Sequence, residues 1–418
     1  MTDVSAPGNP PFRLSMLIHD RRYRSLTFQV IVFILVMAGL WWLVDNTIKN
    51  LALLGKNFNF GFLFQRAGYD IPQTPIPYTS DDTHLRAAVV GLLNTLIVSV
   101  LGCIAATFLG IIVGVARLSK NWLFARLMTV FVEIFRNMPL LLWILIIYAI
   151  FTEILPTPAA YRGEDAAWSM IFFDHVALTN RYTALPTIAM TNDPGSLDLG
   201  ARITVNWATI SFVAALTLGV IARRMIRNWA QSVQDRTGER PRTWWMSLAV
   251  MTVPSLILIR YFGLHLVAPE LTGFNFTGGL NVSNALVALW LALTLYTAAF
   301  IAEIVRAGIL AVSKGQTEAA YALGLRPNRT MSLVILPQAL RVIVPPLISQ
   351  YLNLTKNSSL AIAVGYMDLR GTLGGTTLNQ TGRELEAIVL MMLTYLALSL
   401  IISGAMNIFN ARVKLKER

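Results

Sequence analysis

The stretch from Thr317 to Leu340, TEAAYALGLRPNRTMSLVILPQAL, is the part of the sequence that says most about the fold. It is a polar segment between two apolar runs that are each long enough to cross a membrane. Glu318-Ala319-Ala320 is followed after three residues by Gly324, and ten positions further on by Val334-Ile335-Leu336-Pro337. A patterned polar segment in an otherwise lipid-soluble chain indicates a docking site for another protein.

Local sequence chemistry predicts two short helices in this segment. Ser313 with Gln316 three residues later is typical of a capping box at the start of the first helix. Gly324 is placed to end that helix, because glycine readily adopts the left-handed conformation of a C-terminal cap. Pro327 suits the first position of the second helix, and Pro337 suits the start of the next membrane span.

The first helix is expected to present a contact face. Ala319, Ala320 and Leu323 are predicted close to one face, where small side chains let another backbone approach. Glu318 adds one charge near that contact. The alternative is an ordinary loop helix with a common Glu-Ala-Ala triplet, but the spacing of triplet, glycine and Leu-Pro argues against it.

Composition places the chain among membrane proteins. Of its 418 residues, 55% are hydrophobic and only 13% are charged, whereas about a quarter are charged in soluble proteins. A helix needs about 20 mostly apolar residues to cross the hydrocarbon with every backbone polar group paired. The sequence contains eight candidate spans: Thr27–Val44, Ala88–Val115, Met138–Thr152, Ile203–Ala222, Thr243–Ile259, Asn284–Ala307, Val342–Tyr366 and Ala387–Ala411.

Two spans are predicted to be irregular. Met138–Thr152 is short and is expected to extend back through Phe131–Phe135. The seventh span contains Lys356 and Pro345-Pro346, which predict a bent or interrupted helix.

The cationic residues predict the orientation. With the N-terminus inside and eight crossings, 23 of the 34 Lys and Arg residues fall on the cytoplasmic side, as the positive-inside rule requires. Both termini are therefore expected in the cytoplasm. The net charge of +12 follows from topology and anionic lipid, so a nucleic-acid partner is not predicted. The loop between the fourth and fifth spans is the most basic segment, with Arg223, Arg224, Arg227, Arg236, Arg240 and Arg242.

The sequence predicts neither a metal nor a cofactor. Cys103 is the only cysteine, and the four histidines are scattered without a helix-spaced pair. The chain lacks the phosphate-binding P-loop motif, so it cannot cradle ATP by itself. No nucleophile-base set is visible that would support an intramembrane enzyme.

The Thr317–Leu340 stretch resembles the EAA loop of the permease subunits of ATP-binding cassette importers, with Val334 where the pattern has isoleucine. The flanking AFIAEIVRAGI (Ala299–Ile309) and LPQALRVIVPP (Leu336–Pro346) are similar to the polar amino acid, HisMQ-type branch. WWLVDNTIKNL (Trp41–Leu51) and ARLSKNW (Ala116–Trp122) resemble the long Q-type permease of general L-amino acid (Aap and Bzt) importers.

The resemblance implies an all-α polytopic fold of about eight transmembrane helices, with the type I importer core in the second, third, sixth, seventh and eighth spans. It implies a permease in the bacterial inner membrane that works with separate ATPase subunits. It also implies a second homologous permease subunit, which would form a heterodimer with this chain, and a periplasmic binding protein that delivers amino acids. The residues expected to couple to the ATPase are Lys314, Glu318, Ala319, Ala320, Gly324, Leu336 and Pro337.

The predicted organisation has six parts along the chain. They are a cytoplasmic arm (1–26), the first span and external loop (27–87), core spans two and three (88–152), an external loop with inserted spans four and five (153–283), core spans six to eight with the coupling loop 310–337 (284–411), and a cytoplasmic tail (412–418). The 153–202 loop is too long to lack structure and is expected to hold a small helical or packed segment. Gly371, Gly374 and Gly375 predict a flexible external connection.

A polar run halfway along the seventh span is a candidate substrate pathway. Polar residues at membrane depth are costly unless they face protein or water. Hydrogen bonding that holds the bundle together explains them equally well. Asn94 and Thr95 in the second span could face this run. The pathway candidates are therefore Asn94, Thr95, Asn353, Lys356, Asn357, Ser358 and Ser359.

Two helix-spaced charge pairs are secondary candidates. Arg306 lies one turn from Glu303, and Arg136 lies one turn from Glu133. Pairing near helix ends is favoured over a substrate role for both. Arg136-Asn137-Met138-Pro139 also resembles the start of the family's third span.

Two other functions remain open from the residues alone. A secondary transporter driven by an ion gradient would place ionisable residues near the midplane and often shows inverted repeats, whereas here the acids are peripheral and no repeat is visible. A permease of this class for another polar solute is the second alternative.

Overall fold

The computed structural model describes residues 18, 21–53, 58–163, 167–198, 200 and 204–413. The chain forms two compact units, Met1–Phe62 and Leu63–Arg418. In the first unit, helix α1 (Arg21–Leu53) exposes its apolar side chains, as a lipid-facing helix does. Most of the predicted arm, 1–26, and of the tail, 412–418, lies outside the described residues.

The second unit is mostly helical. Its helices are α2 (His84–Ala116), α3 (Trp122–Asn137), α4 (Leu140–Ala149), α5 (Trp207–Thr237), α6 (Trp244–Phe262), α7 (Asn284–Leu310), α8 (Lys314–Ala322), α9 (Pro327–Thr330), α10 (Leu336–Asn357), α11 (Leu369–Gly371), α12 (Leu378–Thr381) and α13 (Glu384–Val413). Across the described part of both units, seven helices are long and apolar enough to cross a membrane, and the bent pair α3 and α4 makes eight. The predicted number of spans is confirmed.

The third span is broken where the sequence predicted an extension. α3 and α4 meet at an angle of 104°, with Met138 and Pro139 between them. Met138 is extended, with φ −106° and ψ 143°, because the ring of a following proline disfavours helical backbone in the residue before it. Counted as one span, the pair does extend back through Phe131–Phe135, but these residues lie on α3, across the break from α4.

The seventh span begins earlier than predicted and runs without a break from Pro327 to Val364. Pro345 and Pro346 lie inside α10 and do not interrupt it. Pro337 lies in the first turn of α10, as predicted, although the π turn Met331–Ile335 joins that helix to α9. A wider turn before a proline relieves the clash of its ring with the preceding turn. The change of geometry comes at Ser358–Val364, where the helix tightens to a 3-10 form.

The core is formed by α2, α4, α7 and α10. α2 and α7 approach closely, because a Cβ at Gly110 would lie 2.7 Å from the Ile301 side chain, and one at Gly114 would lie 2.6 Å from the Ala302 carbonyl oxygen. Small residues permit such backbone contact between helices in membranes. The largest fully buried apolar side chains of this core are Ile144, Leu289, Leu293, Ile301 and Leu354.

Two of the loops between spans form short strands. The strands are β1 (Ala177–Leu178), β2 (Tyr182–Leu185), β3 (Thr187–Met190), β4 (Ser196–Asp198), β5 (Thr204–Asn206), β6 (Leu264–Val267), β7 (Glu270–Thr272), β8 (Asn275–Thr277) and β9 (Leu280–Ser283). β2 pairs with β1 and β9, β3 pairs with β6, and β4–β5 and β7–β8 are hairpins, all antiparallel. The 153–202 loop is thus packed through strands, and two of them, β2 and β3, pair with strands that lie beyond the next two spans.

The predicted flexible connection after the seventh span is helical instead. Gly371 ends α11, and Gly374 and Gly375 lie in the π turn Thr372–Thr377 that leads into α12. A Cβ at Gly374 would lie 2.7 Å from Met391 Sδ of α13. These glycines therefore serve close packing, and the prediction of flexibility is wrong.

Candidate coupling segment and polar pathway

The coupling segment, Lys314–Arg329, folds as two short helices with a defined turn between them. Gly324 has φ +75° and follows Leu323, the C-cap residue of α8. The Leu325 N–H donates to Ala320 O over 3.1 Å, and the Gly324 N–H donates to Tyr321 O over 2.9 Å. This pair of bonds is a Schellman motif, so the predicted end of α8 is confirmed. Pro327 opens α9, as predicted.

The predicted capping box is absent. Ser313 precedes α8, but its side chain makes no capping hydrogen bond. The Gln316 side chain instead accepts a hydrogen bond at Oε1 from Gln338 Nε2, over 3.2 Å. Gln338 belongs to α10, so this contact takes Gln316 away from the cap and links α8 to a spanning helix.

The small side chains of α8 do not share one face. Ala320 is 4% exposed and packs inside, whereas Ala319 and Glu318 are exposed. Leu323 is 82% exposed and Tyr321 is 50% exposed. The predicted face of Ala319, Ala320 and Leu323 is therefore wrong, because Ala320 lies on the inward side of the helix. Of the remaining coupling candidates, Lys314 and Leu336 are exposed and Pro337 is half-buried.

Glu303 is held by two arginines. Its Oε1 accepts from Arg306 NH2 over 2.6 Å, as the helix spacing predicted, and its Oε2 accepts from Arg117 NH1 over 2.5 Å. The Arg117 side chain is 9% exposed and follows the end of α2. Sequence reasoning missed Arg117, because its partner lies on α7, 186 positions away. The cluster ties α2 to α7.

The second predicted charge pair does not form. Glu133 accepts a hydrogen bond from Asn137 Nδ2 over 3.1 Å. The Arg136 guanidinium lies 5.3 Å from the centre of the Phe300 ring on α7. Arg136 occupies the last turn of α3, beside the break, so its side chain reaches the neighbouring helix instead of Glu133.

The polar run of α10 divides into two faces. Asn353 and Lys356 are exposed, and Asn357 and Ser359 are partly exposed. Ser358 is fully buried, and its hydroxyl donates over 2.8 Å to the carbonyl of the preceding turn. Only the first face is available to a substrate.

Lys356 lies about halfway across the bundle. Leu354, two residues before it, packs on Gly102 near the middle of α2, where a Cβ would lie 3.2 Å from its methyl group. The Tyr351 hydroxyl lies 2.7 Å from Thr107 Oγ1, one to two turns closer to the coupling segment. In the part of the chain that the structure describes, the Lys356 ammonium contacts no carboxylate. It is a lone exposed cation at membrane depth.

Asn94 and Thr95 are buried and hold the segment that follows the seventh span. Asn94 Nδ2 donates to Gln73 O and Met367 O, over 2.9 Å each. Thr95 Oγ1 accepts from the Leu369 N–H over 3.1 Å. The structure does not bring these two residues together with the exposed face of α10, and their contacts match the bundle-stabilising alternative.

Asp368 is a buried acid that sequence reasoning missed. It follows the seventh span and is 0% exposed. Its Oδ1 accepts from the Gly371 N–H over 2.8 Å, and its Oδ2 accepts from the Tyr395 hydroxyl over 3.2 Å. Burial raises the pKa of Asp368 to about 6, although these hydrogen bonds act in the opposite direction. Its position next to a glycine-rich stretch gave no sign of burial.

A polar cavity of about 260 Å³ lies at the strand side of the bundle. It is bounded by the end of α4, the β9–α7 junction and the residues just after the seventh span. Gln73, Asn180 and Arg181 contribute polar groups to it. Asn180 Oδ1 is buried and has no hydrogen-bond partner among the described residues. The cavity adjoins the end of the helix that carries Lys356.

The amino-acid sequence is similar to those of known transport proteins. Residues 236–415 match the family described as "Binding-protein-dependent transport system inner membrane component". The chain is 59% identical to the glutamate/glutamine/aspartate/asparagine transport system permease protein BztB of Rhodobacter capsulatus, over 100% of both chains. It is 44% identical to the general L-amino acid transport system permease protein AapQ of Rhizobium johnstonii, over 97% of this chain and 96% of the relative.

A third relative is the putative amino-acid ABC transporter permease protein YhdX of Escherichia coli K12, which is 43% identical over 94% of this chain and 95% of its own. Identity at this level along nearly the whole length covers the first span and the strand-bearing loops as well as the matched region. The chain therefore belongs to the family of inner-membrane permease components of binding-protein-dependent transport systems.

Proposed function

We propose that this chain carries L-amino acids across the bacterial inner membrane by alternating access, driven by ATP hydrolysis on a separate subunit. Membership of the permease family supports an importer of the ATP-binding cassette class. The names of the three relatives support amino acids as the substrate class, including acidic amino acids and their amides for one of them.

The observation that carries the proposal is the exposed tip of the coupling segment. Leu323, 82% exposed, and Tyr321 lie next to a rigid Schellman turn, outside the spans. Exposed apolar side chains beside a defined turn form an interaction surface. A docked ATPase would cover them, and its movement would reach α10 through the contact between Gln316 and Gln338.

The polar face of α10 supports the pathway. A charge at the centre of a bilayer is costly unless it faces protein or water. We place Asn353, Lys356 and Asn357 on a water-filled route or at the contact with a second permease. Lys356 would hold the substrate carboxylate there, and the Asn353 side chain would hydrogen-bond the amine.

The orientation and partners follow from the same topology. α7 begins after β9 and ends before the coupling segment, so the strands and the coupling segment lie at opposite ends of that span. We propose that the strand side faces the periplasm and a binding protein, and that both termini are cytoplasmic. A homologous second permease subunit would complete a heterodimer.

The orientation is tested by cysteine labelling. Cys103 is first replaced by alanine, and a single cysteine is then introduced at Leu266 or at Leu323. Labelling of each cysteine from either side of inverted vesicles shows which side of the membrane it faces.

The decisive experiment compares Leu323→Asp with Leu266→Asp. Leu266 is 62% exposed on β6, so the control makes the same change at the other end of the span. Both variants should insert at normal levels. Leu323→Asp should fail to co-purify an ATPase and should lose ATP-dependent glutamate and glutamine uptake, whereas Leu266→Asp should retain both.

Energy source is tested in the same vesicles. Uptake that continues with ATP depleted and a proton gradient intact would contradict the proposal and favour a secondary transporter. Normal ATPase capture by Leu323→Asp would show that the coupling segment is not the docking surface.

A further inference from the structure

The hairpin of α5 and α6 contains a cavity that the transport function does not use. α5 extends to Thr237, well beyond the predicted end of its span at Ala222. The cavity is about 430 Å³ in volume and lies between the two helices near their connecting loop. Arg223, Arg227 and Arg240 line it.

Among the described residues, no carboxylate neutralises the three arginines. In the described residues 204–413, none of them forms an ion pair with a carboxylate, although Asp235 and Glu239 are close in sequence. The Arg223 guanidinium makes only a weak contact, 3.7 Å from Met251 Sδ. No lining residue of the cavity is acidic. Three unpaired guanidinium groups around one space favour an anionic ligand with several oxygens.

The cavity lies at the membrane boundary. From Trp207 to Ala222, α5 carries no charge, which gives about 24 Å of apolar helix before Arg223. The hydrocarbon core is about 30 Å thick, so the arginines begin at its edge. Trp244 and Trp245, 70% and 57% exposed, start α6 at the same level, as aromatic residues do at membrane interfaces.

The lining changes from polar to apolar towards the bilayer. Arg240 and Thr243 are in or beside the connecting loop, whereas Leu248 and Met251 lie further along α6 in the direction of the membrane centre. α5 and α6 pack chiefly on each other, which leaves the outer side of the hairpin open to lipid. A ligand with an anionic head and an apolar chain matches this gradient.

We propose that the cavity binds the headgroup phosphate of an anionic phospholipid, with the first part of an acyl chain along Leu248 and Met251. The loop between α5 and α6 lies opposite the strands, on the side of the coupling segment. The lipid therefore belongs to the leaflet that faces that segment. Bound lipid fixes the hairpin at the membrane surface.

The chain provides a matched control. Arg223→Gln/Arg227→Gln/Arg240→Gln removes the cavity arginines, and Arg224→Gln/Arg236→Gln/Arg242→Gln removes three cations from the same hairpin that do not line the cavity. Full-length protein is purified in mild detergent, and retained phosphatidylglycerol and cardiolipin are quantified by mass spectrometry. The cavity variant should retain at least about tenfold less anionic lipid than wild type, whereas the control variant should retain about the wild-type amount.

Two further arms separate the sources of the phosphate group. Added cardiolipin should raise the melting temperature of wild type and control but not of the cavity variant, whereas phosphatidylcholine and millimolar inorganic phosphate should not. Equal loss of lipid from both triple variants would overturn the proposal in favour of non-specific attraction. Stabilisation by inorganic phosphate alone would overturn it in favour of a soluble anion. If the triple variant does not fold, Arg240→Gln against Arg242→Gln makes the same comparison.

Discussion

Gln338 donates a hydrogen bond from Nε2 to Oε1 of Gln316 over 3.2 Å, which joins the coupling segment to the helix that carries Lys356. The two ends of the proposed mechanism are thus on one continuous structure, because α9, a π turn and α10 run unbroken from Pro327 to Val364. Displacement of α8 by a docked protein would act on this helix both through the chain and through the Gln316 contact. No separate relay is required.

Replacement of Gly324 by valine should impair coupling. At φ +75°, a β-branched residue costs roughly 1–2 kcal/mol or more, so the turn after α8 would open. We expect normal insertion but ATP-dependent uptake reduced several-fold, measured in inverted vesicles at equal protein levels. Gly315→Ala is the control, because nothing lies within 4 Å of its Cβ position and alanine favours the helix. Uptake at the wild-type rate by Gly324→Val would count against a role for this turn.

Replacement of Lys356 by methionine should reduce transport without removing the protein. If the ammonium holds a substrate carboxylate, its loss costs about 1.5–3 kcal/mol, which corresponds to roughly a tenfold to hundredfold fall in uptake. Lys356→Arg should retain a large part of the activity because it keeps the charge. Arg236→Met removes a cation from the exposed part of α5 and should have no effect. Full uptake by Lys356→Met would remove this residue from the pathway.

The sequence predicted those features that depend on spacing along the chain. The end of α8 at Gly324, the start of α9 at Pro327 and the pairing of Glu303 with Arg306 are all confirmed, because each involves residues within one or two turns. The number of spans is confirmed for the same reason, since hydrophobic length is a local property.

The features that were predicted wrongly or missed depend on tertiary packing. Ala320 faces inward because α8 packs on the π turn before α10. The spacing of residues along the chain does not predict this contact. β2 pairs with β9 nearly a hundred residues later, and each strand is only four residues long, so neither has a strong signal alone. The ion pair between Arg117 and Glu303 was not predicted, because the two residues are far apart in sequence.

Replacement of Glu303 by glutamine should destabilise the contact between α2 and α7. The change leaves the Arg117 guanidinium, 9% exposed, without a counter-charge. Breaking a fully buried pair costs about 3–5 kcal/mol, and the partial exposure of Glu303 and Arg306 lowers this to about 2 kcal/mol. The melting temperature in detergent should fall by roughly 2 °C. Glu133→Gln, at an exposed acid with one hydrogen bond, should change it little, and an equal fall in both variants would contradict a special role for Glu303.

Replacement of Asp368 by asparagine should change how stability depends on pH. Burial raises the pKa of Asp368 to about 6, above the ordinary value of 3.8, so the folded protein binds its proton more tightly than the unfolded chain does. Stability from this group is therefore full below about pH 4 and is lost as pH rises to about 6, with a cost of up to about 3 kcal/mol above that. Asparagine avoids the buried charge and still accepts a hydrogen bond from the Gly371 N–H.

Asp368→Asn should thus have a higher melting temperature than wild type at pH 7.5. The difference should shrink towards pH 4.5 when both proteins are scanned in parallel. Asp81→Asn, which alters an exposed pair with Arg66, should give a nearly constant difference. A pH-independent effect of Asp368→Asn would show that burial does not raise the pKa of this carboxyl group above its value in the unfolded chain.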